Sequence, residues 1–156
     1  MPLYVPSPTA VVAKSAAAFT VSATTVKTTM ATITIPAGMM QANSVIDIVY
    51  AFTITGATSW KQVLIDFGGT SYTDIQVSPG VGLYRGICQV ANRNSLSSQV
   101  GGQGTTGSFL GIGTTTAAVV TSAVNTANAV TMLITGQCGS ASDSIRLEHY
   151  HVNLLR

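Results

Sequence analysis

Apolar residues alternate with Thr, Ser and Gln in segments spaced roughly ten residues apart, and Gly or Pro marks the turns between those segments. No stretch carries a helical period of convincing length. These observations predict an all-β chain, an antiparallel β-sandwich of jelly-roll type with an extended N-terminal arm. At 156 residues the chain forms one domain with a true core.

The arm is residues 1–18 and the sandwich is residues 19–156. Pro2, Pro6 and Pro8 enforce an extended backbone at the start. Leu3, Tyr4 and Val5 lie between them, too apolar for a flexible Gly/Ser linker. Two readings stay open: a disordered tail, or an arm that lies on a neighbouring subunit and touches it through Pro2, Leu3, Tyr4, Val5, Pro6 and Pro8.

The first clear strand is Thr28–Ile35, where Thr32 and Thr34 alternate with Ile33 and Ile35 before Pro36-Ala37-Gly38 stops it. Residues 44–54 place Ile46, Ile48, Tyr50, Phe52 and Ile54 on one face, since side chains in a strand alternate sides. The other face carries Val45, Asp47, Val49, Ala51 and Thr53, a mixture that calls for partial cover. Residues 60–67 form a third strand closed by Gly68-Gly69, and Thr70–Val77 returns to the turn Ser78-Pro79-Gly80. Gly82–Asn92 interleaves Arg85 and Gln89 with apolar residues. Residues 117–122, residues 129–135 and Ser144–Leu155 complete the set. Within 129–135, Val130, Met132 and Ile134 alternate with Thr131, Leu133 and Thr135. Residues 95–116, rich in Gly, Ser and Thr, are either a long exposed loop or a strand pair with a mobile tip. Residues 122–129 make a turn of helix at most.

The surface implied by the composition is unusual. Asp, Glu, Lys and Arg make only 8% of the chain, against about 25% in ordinary soluble domains. Ser and Thr supply about a quarter of it instead. Such a surface hydrogen-bonds without carrying charge, which suits a subunit covered by other copies or by a partner. Strand faces apolar on both sides, in residues 44–54 and 63–67, need the same kind of cover. The net charge of +2 is small, and Lys14, Lys27, Lys61, Arg85, Arg93, Arg146 and Arg156 are scattered. Tracking a phosphate backbone needs several of them together, so nucleic acid is not an expected partner. No apolar run reaches the ~18 residues that span a bilayer, so no membrane partner is expected either. The N-terminus lacks a positive residue ahead of its apolar stretch, and prolines interrupt that stretch, so it does not read as a secretion signal.

Reaction chemistry is not legible in these residues, and the chain reads as a non-enzyme with no cofactor. The acids are Asp47, Asp66, Asp74, Asp143 and Glu148. Asp47 and Asp66 could neighbour each other across paired strands, but a glycosidase needs two carboxylates facing across a cleft, and edge or surface positions explain all five. His149 and His151 share a strand face at a spacing that zinc ligands use. A surface or subunit-seam position is the simpler account, and no metal site is assigned. Cys88 and Cys138 lie far apart without a CxxC motif and read as two small buried hydrophobes; a mutual disulfide stays open. Phosphate-cradle, HExxH and GxSxG patterns are absent.

Four segments carry a family likeness. TITIPAGMMQANSVIDI, LIDFGGT, VANRNSLSSQVG and VTMLITGQCGSASDSIRLEHYHVNLL occur in that order between about residue 28 and residue 155. In this the chain resembles the small jelly-roll proteins of bacteriophage virions, which include trimeric capsid decoration or cement proteins and the distal domains of tail fibres. The resemblance implies a homotrimer on the virion surface, made in the host bacterial cytoplasm. Its partner would be the phage major capsid protein or another virion protein. A fibre tip needs a shaft ahead of the jelly roll, whereas here a Pro-rich arm precedes it. The expected role is therefore a decoration or cement protein that stabilises the shell from outside. The alternative is a tail-fibre or tail-tip subunit that binds a host-surface glycan.

Overall fold

The structure, a computed structural model, describes residues 9–56, 59–77, 79–103 and 118–156. It is an all-β, antiparallel sandwich. Eleven strands run in the order β1 Thr9–Ser15, β2 Phe19–Ser22, β3 Thr28–Ile35, β4 Val45–Thr55, β5 Lys61–Phe67, β6 Thr70–Val77, β7 Gly82–Asn92, β8 Gln99–Gln103, β9 Ala118–Ser122, β10 Val130–Cys138 and β11 Ser144–Leu155. A seven-stranded sheet has the order β1-β11-β4-β7-β8-β9, with β2 also on β11. A four-stranded sheet has the order β3-β10-β5-β6.

The pairing is nested. β5 pairs with β6 across the Gly68-Gly69 turn, β4 with β7, β3 with β10 and β2 with β11. The β8–β9 hairpin is inserted between β7 and β10. The two glycines of the inner turn have φ of 56° and 87°, a region that disfavours a side chain.

The period-2 pattern accounts for the core. Ile46, Ile48, Tyr50, Phe52 and Ile54 of β4 are all buried, and Val63, Ile65 and Phe67 of β5 meet them from the other sheet. Val130, Met132 and Ile134 extend that layer along β10, while Ile145, Leu147, Val152 and Leu154 do so along β11. Gly86, opposite Tyr50 on β7, leaves room for the tyrosine ring: a Cβ there would stand 2.5 Å from Tyr50 Cζ. Both cysteines are buried and unpaired with each other, at 2% and 0% exposure. Burial pushes the Cys88 thiol up to about 11, with a Thr73 side-chain hydrogen bond acting in the opposite direction.

One sequence expectation changes, and one open alternative gains a strand. Residues 9–15 of the expected arm are a strand on β11, so the sheet begins at Thr9 rather than Phe19. The reason is the length of β11, whose second half offers a free edge once β2 has taken residues 144–147. Residues 95–116 contribute β8 and, with β9, an edge hairpin. Their centre, residues 104–117, lies outside the described residues, as do Pro2, Leu3, Tyr4, Val5, Pro6 and Pro8.

Candidate docking surface

The outward faces of the two sheets differ in kind. On the four-stranded sheet, Thr32 and Thr34 of β3, Thr131 of β10, Gln62 and Asp66 of β5, and Asp74 and Gln76 of β6 point away from the core. Two polar pairs stand on that face: Gln62 Nε2 donates to Asp74 Oδ1 at 2.5 Å, and Lys27 pairs with Asp66 at 3.3 Å. Leu64 and Leu133 stand half-buried among them, and Thr135 Oγ1 is buried without a hydrogen-bond partner.

The seven-stranded sheet mixes charged and exposed apolar side chains on its outer face. Seven large hydrophobic side chains stand exposed among the described residues, and four of them share this outer face: Val11 at 61%, Leu83 at 70%, Ile87 at 60% and Val119 at 71%. None lies on the four-stranded sheet. Between them, Val49 and Ala51 of β4 form a low floor, flanked by Ile87 and Arg85 on one side and by His151 and His149 on the other. Single surface hydrophobics are ordinary; four on one sheet face, around a small-residue floor, make that face the candidate interaction surface.

A bulge places the histidines. The β11–β4 register slips between Leu147 and His149, so Glu148 is the extra residue. Glu148 accepts a hydrogen bond from Thr53 Oγ1 at 2.6 Å and pairs with Arg146 at 3.4 Å. His149 and His151 are half-buried on one outward face, opposite Ala51 and Val49, with Lys14 beside His151 on the far strand. Among the described residues, no group of three or more His, Cys, Asp or Glu could hold a metal ion. Asp47 and Asp66 lie on different sheets and are not brought together. Asp47 instead accepts from Gln89 Nε2 at 2.8 Å.

Asp143 corrects the surface reading of the acids. It is 1% exposed, and its carboxylate lies 3.0 Å from Lys61 Nζ, with both side chains fully buried. The ammonium also donates to Ser59 O at 3.0 Å and to Gly56 O, while Ser59 N donates to Asp143 Oδ2 at 2.9 Å. Three acceptors around three ammonium protons leave that charge satisfied. The pair ties the start of β5 in one sheet to the turn before β11 in the other. Sequence reasoning missed it, although Lys61 stands in phase with Val63, Ile65 and Phe67 and so had to point inward.

A second polar pin closes the other end. Asn92 Nδ2 donates to Gln41 O at 2.9 Å and Thr126 Oγ1 at 3.0 Å, and Gln99 Nε2 donates to Asn92 Oδ1 at 2.8 Å. Gln99 Oε1 accepts from Ser122 Oγ at 3.0 Å and Val124 N at 2.8 Å. Segments at about 36–44, 92–99 and 122–126 are thereby locked together. Beside the Gly68-Gly69 turn, an open depression of about 390 Å³ is lined by Val124, Asn125, Asn128 and Thr131 among others, with no charged or aromatic group. Trp60 is half-buried against Gly139, whose Cβ, if present, would sit 2.8 Å from the indole.

No family model and no curated protein matches the chain. A solved structure, exo-beta-1,3-galactanase from Phanerochaete chrysosporium with galactose, aligns at 12% identity and a TM-score of 0.24. That alignment covers 95% of this chain and 29% of the galactanase chain, so this chain spans under a third of that protein. A likeness so slight bears on neither fold nor function.

Proposed function

We propose that this chain is a structural protein of a bacteriophage particle, a homotrimeric jelly roll that binds the outside of the shell and holds neighbouring shell subunits together. The observation that carries the structural role is a difference between the two outer faces: the exposed large hydrophobic side chains Val11, Leu83, Ile87 and Val119 stand among charged and polar groups on the seven-stranded sheet, and among the described residues none stands on the four-stranded sheet. A subunit with one wet face and one covered face fits an assembly component. The pairing order supports the jelly-roll reading: β2, β11, β4 and β7 in one layer face β3, β10, β5 and β6 in the other, with each strand of the first half paired to its mirror in the second. The phage address rests on the resemblance of four sequence segments. Two of them supply the buried pin, the first through Gln41 in the turn after β3 and the third through Asn92 with Gln99.

Residues 2–8 act as the shell-binding arm in this proposal. Proline pre-extends such a segment and lowers the entropy lost on docking. Three arms on one trimer act together through effective concentration, so each contact can be weak. The test adds purified protein to shells that lack it and measures co-sedimentation. The full chain should saturate the shells, and a variant lacking residues 2–8, which leaves β1 intact, should bind at least tenfold more weakly. Recovery on tails or on a host glycan, with none on shells, would overturn the proposal in favour of the tail-located reading.

A further inference from the structure

We infer that the outer face of the seven-stranded sheet is where copies of this chain meet. Of the proposed function it uses only the homo-oligomer, and it stands whether the particle address is the shell or the tail. Three observations identify the occupant as a second copy.

The first is area. At about 3.3 Å rise per residue and 4.8 Å between strands, each strand residue tiles about 16 Å². The strands β1, β11, β4, β7, β8 and β9 together present roughly 800 Å² of sheet, of the order that one copy contributes to a standard stable interface and shared between two neighbours in a threefold ring. A short peptide or a small ligand would leave most of it wet.

The second is charge. Around the apolar floor stand Lys14, Arg85 and Arg146, against Asp47 and Glu148. The near-balance of three cations and two anions gives a strongly acidic or strongly basic partner nothing to hold, whereas in a threefold ring one part of this face meets a different part of it on the neighbouring copy and can set unlike charges opposite one another. His149 and His151 lie inside that rim, as aromatic polar groups able to donate or accept across the contact.

The third is distribution. Val11, Leu83, Ile87 and Val119 spread across the sheet from β1 to β9 instead of lining one groove. That suits a broad, flat partner. The small residues Val49 and Ala51 at the centre leave a low floor into which a larger side chain such as Ile87 or Leu83 of another copy can be received.

The test compares mass in solution by light scattering for the full chain, Ile87→Glu, Leu83→Glu, and the control Thr34→Glu on the outer face of the other sheet. The full chain and the control should have the same oligomeric mass, whereas Ile87→Glu and Leu83→Glu should dissociate at concentrations at least tenfold higher. Circular dichroism should match throughout, because both residues are already exposed in the single chain. If Ile87→Glu fails to fold, Ile87→Cys replaces it: its thiol should react slowly at oligomeric concentrations and quickly after dilution, the native cysteines being buried. Oligomers unchanged by Ile87→Glu and Leu83→Glu, or an Ile87→Cys thiol that reacts quickly at every concentration, would overturn this inference and leave the homotrimer standing. A full chain that is monomeric at every concentration would overturn both.

Discussion

Replacing Asp143 by alanine should be among the most damaging single changes available outside the apolar core. The substitution leaves Lys61 Nζ, fully buried, with two carbonyl acceptors and no counter-charge, and it orphans the Ser59 amide. Removing one partner of a buried ion pair costs about 3–5 kcal/mol. With a urea slope of roughly 2 kcal/mol per molar, the midpoint should fall by about 1.5–2.5 M. The assay is equilibrium urea unfolding followed by tryptophan fluorescence, at one fixed protein concentration because self-association adds to apparent stability. The double variant Lys61→Met with Asp143→Leu should recover most of the loss, since an apolar pair of similar volume carries no desolvation cost. If Asp143→Ala shifts the midpoint by less than about 0.5 M, the buried ion pair is not what ties the two sheets at this end, and the reasoning fails.

Other outcomes follow from the same geometry. Gly86→Ala should lower stability by about 1–3 kcal/mol, because its methyl group would collide with the Tyr50 ring; a thermal melt reads it. Asn92→Ala removes the donor to Gln41 O and Thr126 and the acceptor of Gln99, so it should cost about 2–4 kcal/mol and speed amide exchange at residues 122–126. Cys88 should stay unreactive to a thiol reagent at pH 8 until the protein unfolds, since burial raises its thiol to about 11. The folded state holds that proton more tightly than the unfolded one, so the contribution is constant below pH 9. Stability should then decline as pH climbs from 9 toward 11, in urea midpoints measured across that range.

Most of the sandwich was readable because its long strands keep a period-2 pattern over most of their length, the bulge at Glu148 in β11 being an interruption. Thr70–Val77, Gly82–Asn92 and Ser144–Leu155 coincide with the strands expected, and Ile46 to Ile54 form the inner face that the period demands. The short edge strands were hidden for physical reasons. β1 breaks its own alternation with a register slip between Val11 and Ala13, and β8 is a Gly-rich pentapeptide whose strand character depends on β7 and β9. The Lys61–Asp143 pair was hidden differently. A carboxylate in a Ser/Gly-rich turn reads as exposed, and its burial depends on a partner delivered by the other sheet. The mixed outer face of β4 was legible as a face needing cover. Joining it to Leu83, Ile87, Val11 and Val119 required the strand order.

The most direct measurement of the central claim is the position and copy number of this chain in purified phage particles, by quantitative mass spectrometry with an electron cryo-microscopy map. A shell-binding trimer predicts hundreds of copies spread over the capsid exterior in threefold groups. A few copies, or a few dozen, confined to the tail would contradict it.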